Sequence, residues 1–180
     1  MPDEIQIRDA VPADAPTIAE IHVESWQAAY AGILPDGHLA ALSVEKHTAF
    51  WERELAGRGS ITLVSVRGGS ITGWVSGGGS RDDDGAATSE IHAIYVSPDC
   101  WGGGSGKKLM EAMEGHFPSG SPTTLWVLEQ NQRGIGFYQR LGFTADGASK
   151  KIRIGGAEVA EIRLRKEWTP REIWQRMAEP

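Results

Sequence analysis

Residues 5–10, IQIRDA, alternate apolar and polar side chains and predict a short strand. Over 11–33, VPADAPTIAEIHVESWQAAYAGI, the residues Ile18, Ile21, Trp26 and Ala29 recur at helical spacing, with Asp14 placed to cap the start. A second helix is predicted over 43–57, SVEKHTAFWERELAG, where Val44, His47, Phe50, Trp51 and Leu55 share a face and Gly57 ends it. Three strands follow, SITLVSV (60–66), SITGWVSG (70–77) and SEIHAIYV (89–96), the first two joined by a turn at Gly68 and Gly69. The polar, acidic stretch GGGSRDDDGAAT (77–88) is expected to be a mobile hairpin tip that demands no function.

Beyond a glycine-rich segment, 106–117 is predicted as a helix that turns Leu109, Met110 and Met113 toward a core. TTLWVLE (123–129) reads as a buried strand, and NQRGIGFYQRLGF (131–143) as a helix ending at Gly142. Two more strands, 145–154 and 157–168, meet at a Gly155-Gly156 turn. The order β-α-α-β-β-β-α-β-α-β-β specifies an α/β domain of the α+β type, with a mostly antiparallel central sheet of about seven strands and about four helices. It lacks the regular βα alternation of a doubly wound parallel sheet. One domain is expected over 1–168, with 169–180 a tail holding a short helix.

Composition narrows the function. A chain of 180 residues that is 40% hydrophobic can bury one substantial core. No apolar run approaches the roughly 18 residues that span a bilayer. The acidic start, MPDEIQIRD, has neither a signal core nor an Arg-rich transit pattern, so a cytoplasmic protein is expected. Cys100 is the single cysteine, so no internal disulfide forms, and no His/Cys cluster has metal-ligand spacing. A net charge of −6 disfavours a phosphate-neutralising grip on nucleic acid, yet leaves room for a small anion held by main-chain N–H groups.

Such a group lies in VSPDCWGGGSGKKL (96–109), where a strand gives way to bare backbone and then a helix. A nucleotide P-loop, G-x-x-x-x-G-K-[ST], fails at both ends, because Trp101 stands at the first glycine and Lys108 at the metal-binding hydroxyl. The dinucleotide pattern G-x-G-x-x-G fails at Lys107 or at Leu109, depending on where it starts. What survives is a helix N-terminus with unpaired N–H groups and no Cβ atoms in the way, a site suited to pyrophosphate.

The segment resembles the coenzyme A pyrophosphate loop of the GNAT superfamily of acyl-CoA-dependent N-acetyltransferases, of the form [QR]-x-x-G-x-[GA]. Gly104 and Gly106 match, and Trp101 departs from the usual Gln or Arg. The segment LWVLEQNQRGIGFYQRLGF resembles a second block of that family, with Asn131 seven residues before Tyr138 and Leu141-Gly142-Phe143 closing it. The resemblance in element order runs over 5–166 and implies the GNAT fold, with acetyl-CoA as co-substrate and no metal.

Acetyl transfer to an amine requires removal of a proton from the ammonium, stabilisation of an oxyanion, and a proton or hydrogen bond for the leaving thiolate. By resemblance, Tyr138 is the acid. Glu90, eleven residues before Trp101, matches the members that use a strand Glu as base. His92, on the same face, and Glu129 are competing candidates. The coenzyme is expected to contact Tyr95 and Val96 through main chain, Trp101, Gly102, Gly103, Gly104, Ser105, Gly106 and Lys107 in the loop, and Asn131, Arg133 and Phe137 beyond it. Val96 N–H is the expected oxyanion donor. Gly134 and Gly136, unfavourable inside a helix, point to close ligand approach or to slack packing. Cys100 reads as a bystander.

On the acceptor side, Trp26 and Tyr30 share a helical face and could cover a cationic or apolar amine, with Glu24 and Glu129 as further candidates. The expected acceptor is a primary amine of a small molecule or a peptide N-terminus. The alternative is a non-catalytic acyl-CoA-binding regulatory module of the same fold. The apolar C-terminal strands and Trp174 make a homodimer an open expectation.

Overall fold

The structure, a computed structural model, describes residues 4–57, 59–83, 88–170 and 172–173. Within the tail, residues 171 and 174–180, with Trp174, lie outside the described residues, as do 84–87 of the acidic hairpin.

Seven strands form one sheet in the order β1-β2-β3-β4-β5-β7-β6. They are β1 (Gln6–Asp9), β2 (Ile61–Arg67), β3 (Ser70–Gly79), β4 (Ser89–Val96), β5 (Thr123–Leu128), β6 (Thr144–Ile154) and β7 (Ala157–Lys166). Every neighbouring pair is antiparallel except β4 and β5. The helices are α1 (Ala15–Ala29), α2 (Asp36–Ala40), α3 (Val44–Ala56), α4 (Ser105–His116) and α5 (Gln132–Arg140). The five-residue α2 is one more helix than the apolar periodicity predicts, being too short to show a stripe.

The helices divide between the two faces. On one, α4 and α5 bury Leu109, Met110, Met113 and Ile135 against Leu63, Val75, Ile91 and Leu125. On the other, α1 and α3 cover Val64 and Trp74 with Ile18, Ile21 and Trp51, and a satellite core joins Leu34, Leu39 and Leu128. The predicted inner stripe of α3 is narrower than its sequence suggests. Trp51 is buried, whereas Val44 and Phe50 stay exposed, the Phe50 ring lying edge-on to Trp51 at 5.5 Å. Ser43 caps this helix by accepting from Lys46 N–H, whereas the Asp14 carboxylate is drawn off to Arg8 and Val11 N–H. The turns at Gly68-Gly69 and Gly155-Gly156 have φ of 57°, 83°, 58° and 85°, the positive values a tight hairpin needs.

One irregularity positions the site. Between β3 and β4 the register jumps from Ser76↔Ala93 to Gly77↔Ile91, so His92 is an extra residue in β4. Such a bulge bends its strand. On the other edge, β4 pairs with β5 only through Ser89, Glu90 and Ile91, and the two strands then part. Past the bulge, β4 is held from one side alone, by β3. Gly73 makes that contact close: a Cβ there would sit 2.8 Å from Tyr95 O and 2.9 Å from a Val96 methyl. Gly73→Ala is therefore expected to lower stability by about 1–3 kcal/mol in denaturant unfolding, while Gly79→Ala, with nothing within 4 Å of its Cβ, should leave it nearly unchanged.

Candidate active site

The parted strands open a cleft of about 770 Å³ that passes from the α4–α5 face of the sheet to the α1 face. At one end lies the glycine loop. Gly102 and Gly104 have φ of 77° and 93°, conformations that side chains with a Cβ resist. Gly104 is the N-cap of α4, and Lys108 N–H is the first to close a helical bond, onto Gly104 O. The N–H groups of the turn before it, Ser105 to Lys107, thus face the loop without intrahelical partners. At Gly106 a Cβ would press 3.2 Å from the Phe137 ring, so this glycine lets α4 and α5 close together behind the loop.

Two loop residues do less than their sequence suggests. Gly103 N–H donates to Cys100 O at 3.2 Å and shapes the turn. The Ser105 hydroxyl lies buried against Thr72 Oγ1 at 3.0 Å, which leaves only its main chain toward the cleft.

Trp101, the residue out of pattern, has a definite task. Its Nε1–H donates to Val96 O at 2.8 Å, and the Arg133 guanidinium lies over its ring, 3.0 Å from the centroid. A cation thus reaches the loop from α5, stacked on the indole. Lys107 also lines the cleft, loosely paired to Glu111 at 3.6 Å.

Along β4, Ser97 N–H donates to Thr72 O. Strand alternation then directs the Tyr95 main chain to β3 and those of Ile94 and Val96 into the gap left by β5. Ile94, not Tyr95, therefore joins Val96 in offering main chain to the cleft. The Val96 carbonyl accepts from Trp101 and from Ser25 Oγ at 3.0 Å, and its N–H faces the gap. Asn131 caps α5, its Oδ1 accepting from Gly134 N–H at 2.9 Å. A Cβ on Gly134 would fall 2.5 Å from Asn131 Nδ2, so the glycine accommodates the cap; neither ligand approach nor slack packing is needed to explain it.

At the middle of the cleft three phenols gather. Tyr30 and Tyr95 share a hydrogen bond at 3.3 Å. Tyr138, edge-on to Phe137 and Phe143, has its pKa pushed well above the usual phenol range, first by burial and then by Tyr30. It keeps its proton throughout the neutral range.

The candidate carboxylates are not in this cleft. Glu90 is 1% exposed, and Arg81 clamps it through Nε (3.1 Å), Nη2 (2.5 Å) and main-chain N–H (2.7 Å). Arg81 belongs to the acidic hairpin, whose Asp82 also accepts from Trp126 Nε1 and Arg163. Arg81 and Asp82 thus tie down the described start of that stretch, while the tip expected to be mobile, 84–87, lies outside the described residues. Glu24 is exposed on α1, and Glu129 lines a separate small pocket with Glu158. His92 does line the cleft. Its Nε2 lies 3.3 Å from Gly79 O, which can only accept, so the proton sits on Nε2 and Nδ1 is left as the basic atom. Burial and then Arg81 lower its pKa.

Three cleft residues escape the sequence reading. Ser25 anchors α1 to β4. Glu161, on β7, is the one carboxylate among the described lining residues. It was legible as a charge on a strand face otherwise carrying Ala157 and Val159. His22 stacks on Tyr95 (5.3 Å) and meets His47 edge-on (4.6 Å); burial and then His47 lower its pKa to about 4. A neutral His22 in the fold and a titrating one in the unfolded chain means that acid favours unfolding. Stability should fall as pH drops from 6.5 to 4, with at most ~3 kcal/mol of that loss removed in His22→Gln, read from denaturant midpoints across that range.

Residues 17–143 match the acetyltransferase (GNAT) family. The L-amino acid N-acyltransferase MnaT of Escherichia coli is 32% identical over 153 residues, covering 82% of this chain and 84% of its own. The uncharacterized N-acetyltransferase YuaI of Bacillus subtilis is 28% identical, with 90% of each chain covered. Among solved structures, yncA from Salmonella typhimurium with its cofactor acetyl-CoA superposes with a TM-score of 0.67 at 26% identity, over 91% of this chain and 94% of that one.

Proposed function

Because the chain belongs to the acetyltransferase (GNAT) family, we propose that it transfers acetyl from acetyl-CoA to a primary amine of a small molecule or a peptide N-terminus, by direct attack in a ternary complex. The relative named for L-amino acids makes a free amino acid one candidate acceptor. The observation that carries the reading is the Tyr138 phenol, held protonated in the gap between β4 and β5.

The residues present suit the coenzyme. The first-turn N–H groups of α4, with Lys107 and Arg133, would hold the diphosphate. The main chain of Ile94, unmatched by β5, would hold the pantetheine arm, since buried main-chain groups need partners; the Val96 carbonyl already accepts from Trp101 and Ser25. Acetyl-CoA supplies the acetyl group activated as a thioester. Val96 N–H, facing the gap, would donate to the oxyanion, and Tyr138 O–H would donate to the departing thiolate.

For the base we choose His92 over Glu90. Glu90 is locked to Arg81, whereas His92 lines the cleft at the bulge where the strands part and keeps Nδ1 free of the proton. Its lowered pKa keeps it neutral, hence competent, at pH 7.

Thiol release measured with a panel of amines tests the proposal. Tyr138→Phe should lower kcat by about 10²-fold or more with KM and acetyl-CoA binding little changed. No thiol above background from any amine, or an unaffected kcat in the variant, would overturn it. His92→Gln should depress kcat/KM by a comparable factor, and in the parent protein the acid limb of kcat/KM should lie below pH 6.5, activity falling as Nδ1 is protonated. Glu90→Gln should instead cost stability, leaving kcat within about threefold, because it weakens the Arg81 clamp rather than the chemistry.

A further inference from the structure

The acceptor half of the cleft lies between the end of α1 and one face of β5, β6 and β7. Trp26 and Tyr30 cover it, and Leu128, Ile152, Ile154 and Glu161 line its floor. The strand registers place Glu161 directly between Leu128 and Lys150. Its side chain is 18% exposed. The cleft's cations among the described residues, Lys107, Arg133 and Arg140, all come from α4 and α5, on the opposite face of the sheet. The acceptor half therefore carries a carboxylate, aromatic walls and two histidines, His22 and His92, whose pKa values are lowered. Tyr30 senses the same carboxylate: burial chiefly raises its pKa, and the Glu161 charge raises it further.

We propose that Glu161 binds the ammonium form of the acceptor, and that the acceptor is a primary amine with no carboxylate beside the amino group. The assignment rests on the acceptor site of the preceding reading. A free amino acid would bring a second carboxylate into a chamber already negative at Glu161, a repulsion strengthened by the low local dielectric. An arylalkylamine or a peptide N-terminus, whose first carboxyl is an amide, brings none. The aromatic walls suit a flat or apolar body next to the cation. Trp26 Nε1 is buried near the Tyr95 hydroxyl without a close hydrogen bond, and can turn to a neutral oxygen such as an amide carbonyl.

Among the described residues two cations stand near Glu161: Arg163, next on the same face of β7 and paired with Asp82 and Asp146, and Lys150, which pairs with Glu161 itself. Its Nζ lies 3.5 Å from Glu161 Oε2 and 3.9 Å above the Trp126 ring, and its side chain is 43% exposed. It is not a cleft-lining residue, and an incoming ammonium can displace it toward water.

The test is calorimetric binding of phenethylamine, phenylalaninamide and phenylalanine to the protein saturated with coenzyme A. Both carboxylate-free amines should bind about tenfold or more tightly than phenylalanine. Glu161→Gln should weaken both by about tenfold and erase the preference, Glu161→Asp should retain it, and Lys150→Ala should retain or sharpen it. Unchanged coenzyme A affinity in each variant reports an intact fold. Whichever of the two amines binds better upholds the assignment and separates a peptide end from a free amine. Phenylalanine binding as tightly as the others, a preference that survives Glu161→Gln, or phenylalanine binding that depends on Lys150, would overturn it. Because calorimetry reads no turnover, selective amine binding without thiol release would sink the transfer reaction and leave this assignment standing. Thiol release from phenylalanine as fast as from the amines would do the reverse.

Discussion

The parting of β4 from β5 is the constraint on which the rest depends. A parallel pair at the centre of a sheet normally continues until one strand ends, because each unpaired N–H or C=O has to be satisfied elsewhere. Here pairing stops after Ile91. The cause is local: the extra residue at His92 bends β4 while β3, closing on it through Gly73, keeps its hold. The result is a slot through the middle of a folded sheet, with main chain along one wall and a different set of helices at each mouth. Neither face alone could supply both an anion cradle and an aromatic chamber.

The two mouths differ in physical character because different elements supply them. On the α4–α5 side, backbone N–H groups and cations dominate, and glycines keep side chains out of the way. On the α1 side, tyrosines, tryptophans and histidines dominate, and the single described carboxylate among the cleft's lining residues stands among them. Trp101 shows how a departure from a family's pattern can keep its purpose. The expected polar side chain is missing at that position, yet the indole serves as a platform for Arg133, so positive charge still reaches the loop. An arginine on an aromatic face is also held in one orientation, which a lone surface lysine is not.

Much of the fold could be read from periodicity. The boundaries of β4 and the turns at Gly68-Gly69 and Gly155-Gly156 follow from alternation and from residues that tolerate positive φ. The bare helix start could be read because backbone chemistry leaves a local trace: Gly102 and Gly104 take positive φ, and Gly104 opens α4. The surroundings of the candidate bases could not. Glu90 and His92 differ only in what lies opposite them, and Arg81 reaches Glu90 from a hairpin that its composition marks as featureless. At Glu161 the charge was visible on its strand face, but the sequence did not show that Tyr30 reaches it from over a hundred residues away. Contacts distant in sequence decide whether a charge is a tool, a strut or a surface ornament.

The Val96 carbonyl ties two walls of the slot together. One oxygen accepts from Trp101, beside the glycine loop, and from Ser25 of α1, on the other side of the sheet. A single main-chain oxygen thus moors both the indole that carries Arg133 and the helix that roofs the aromatic chamber, so the two mouths of the slot are referenced to one atom of β4.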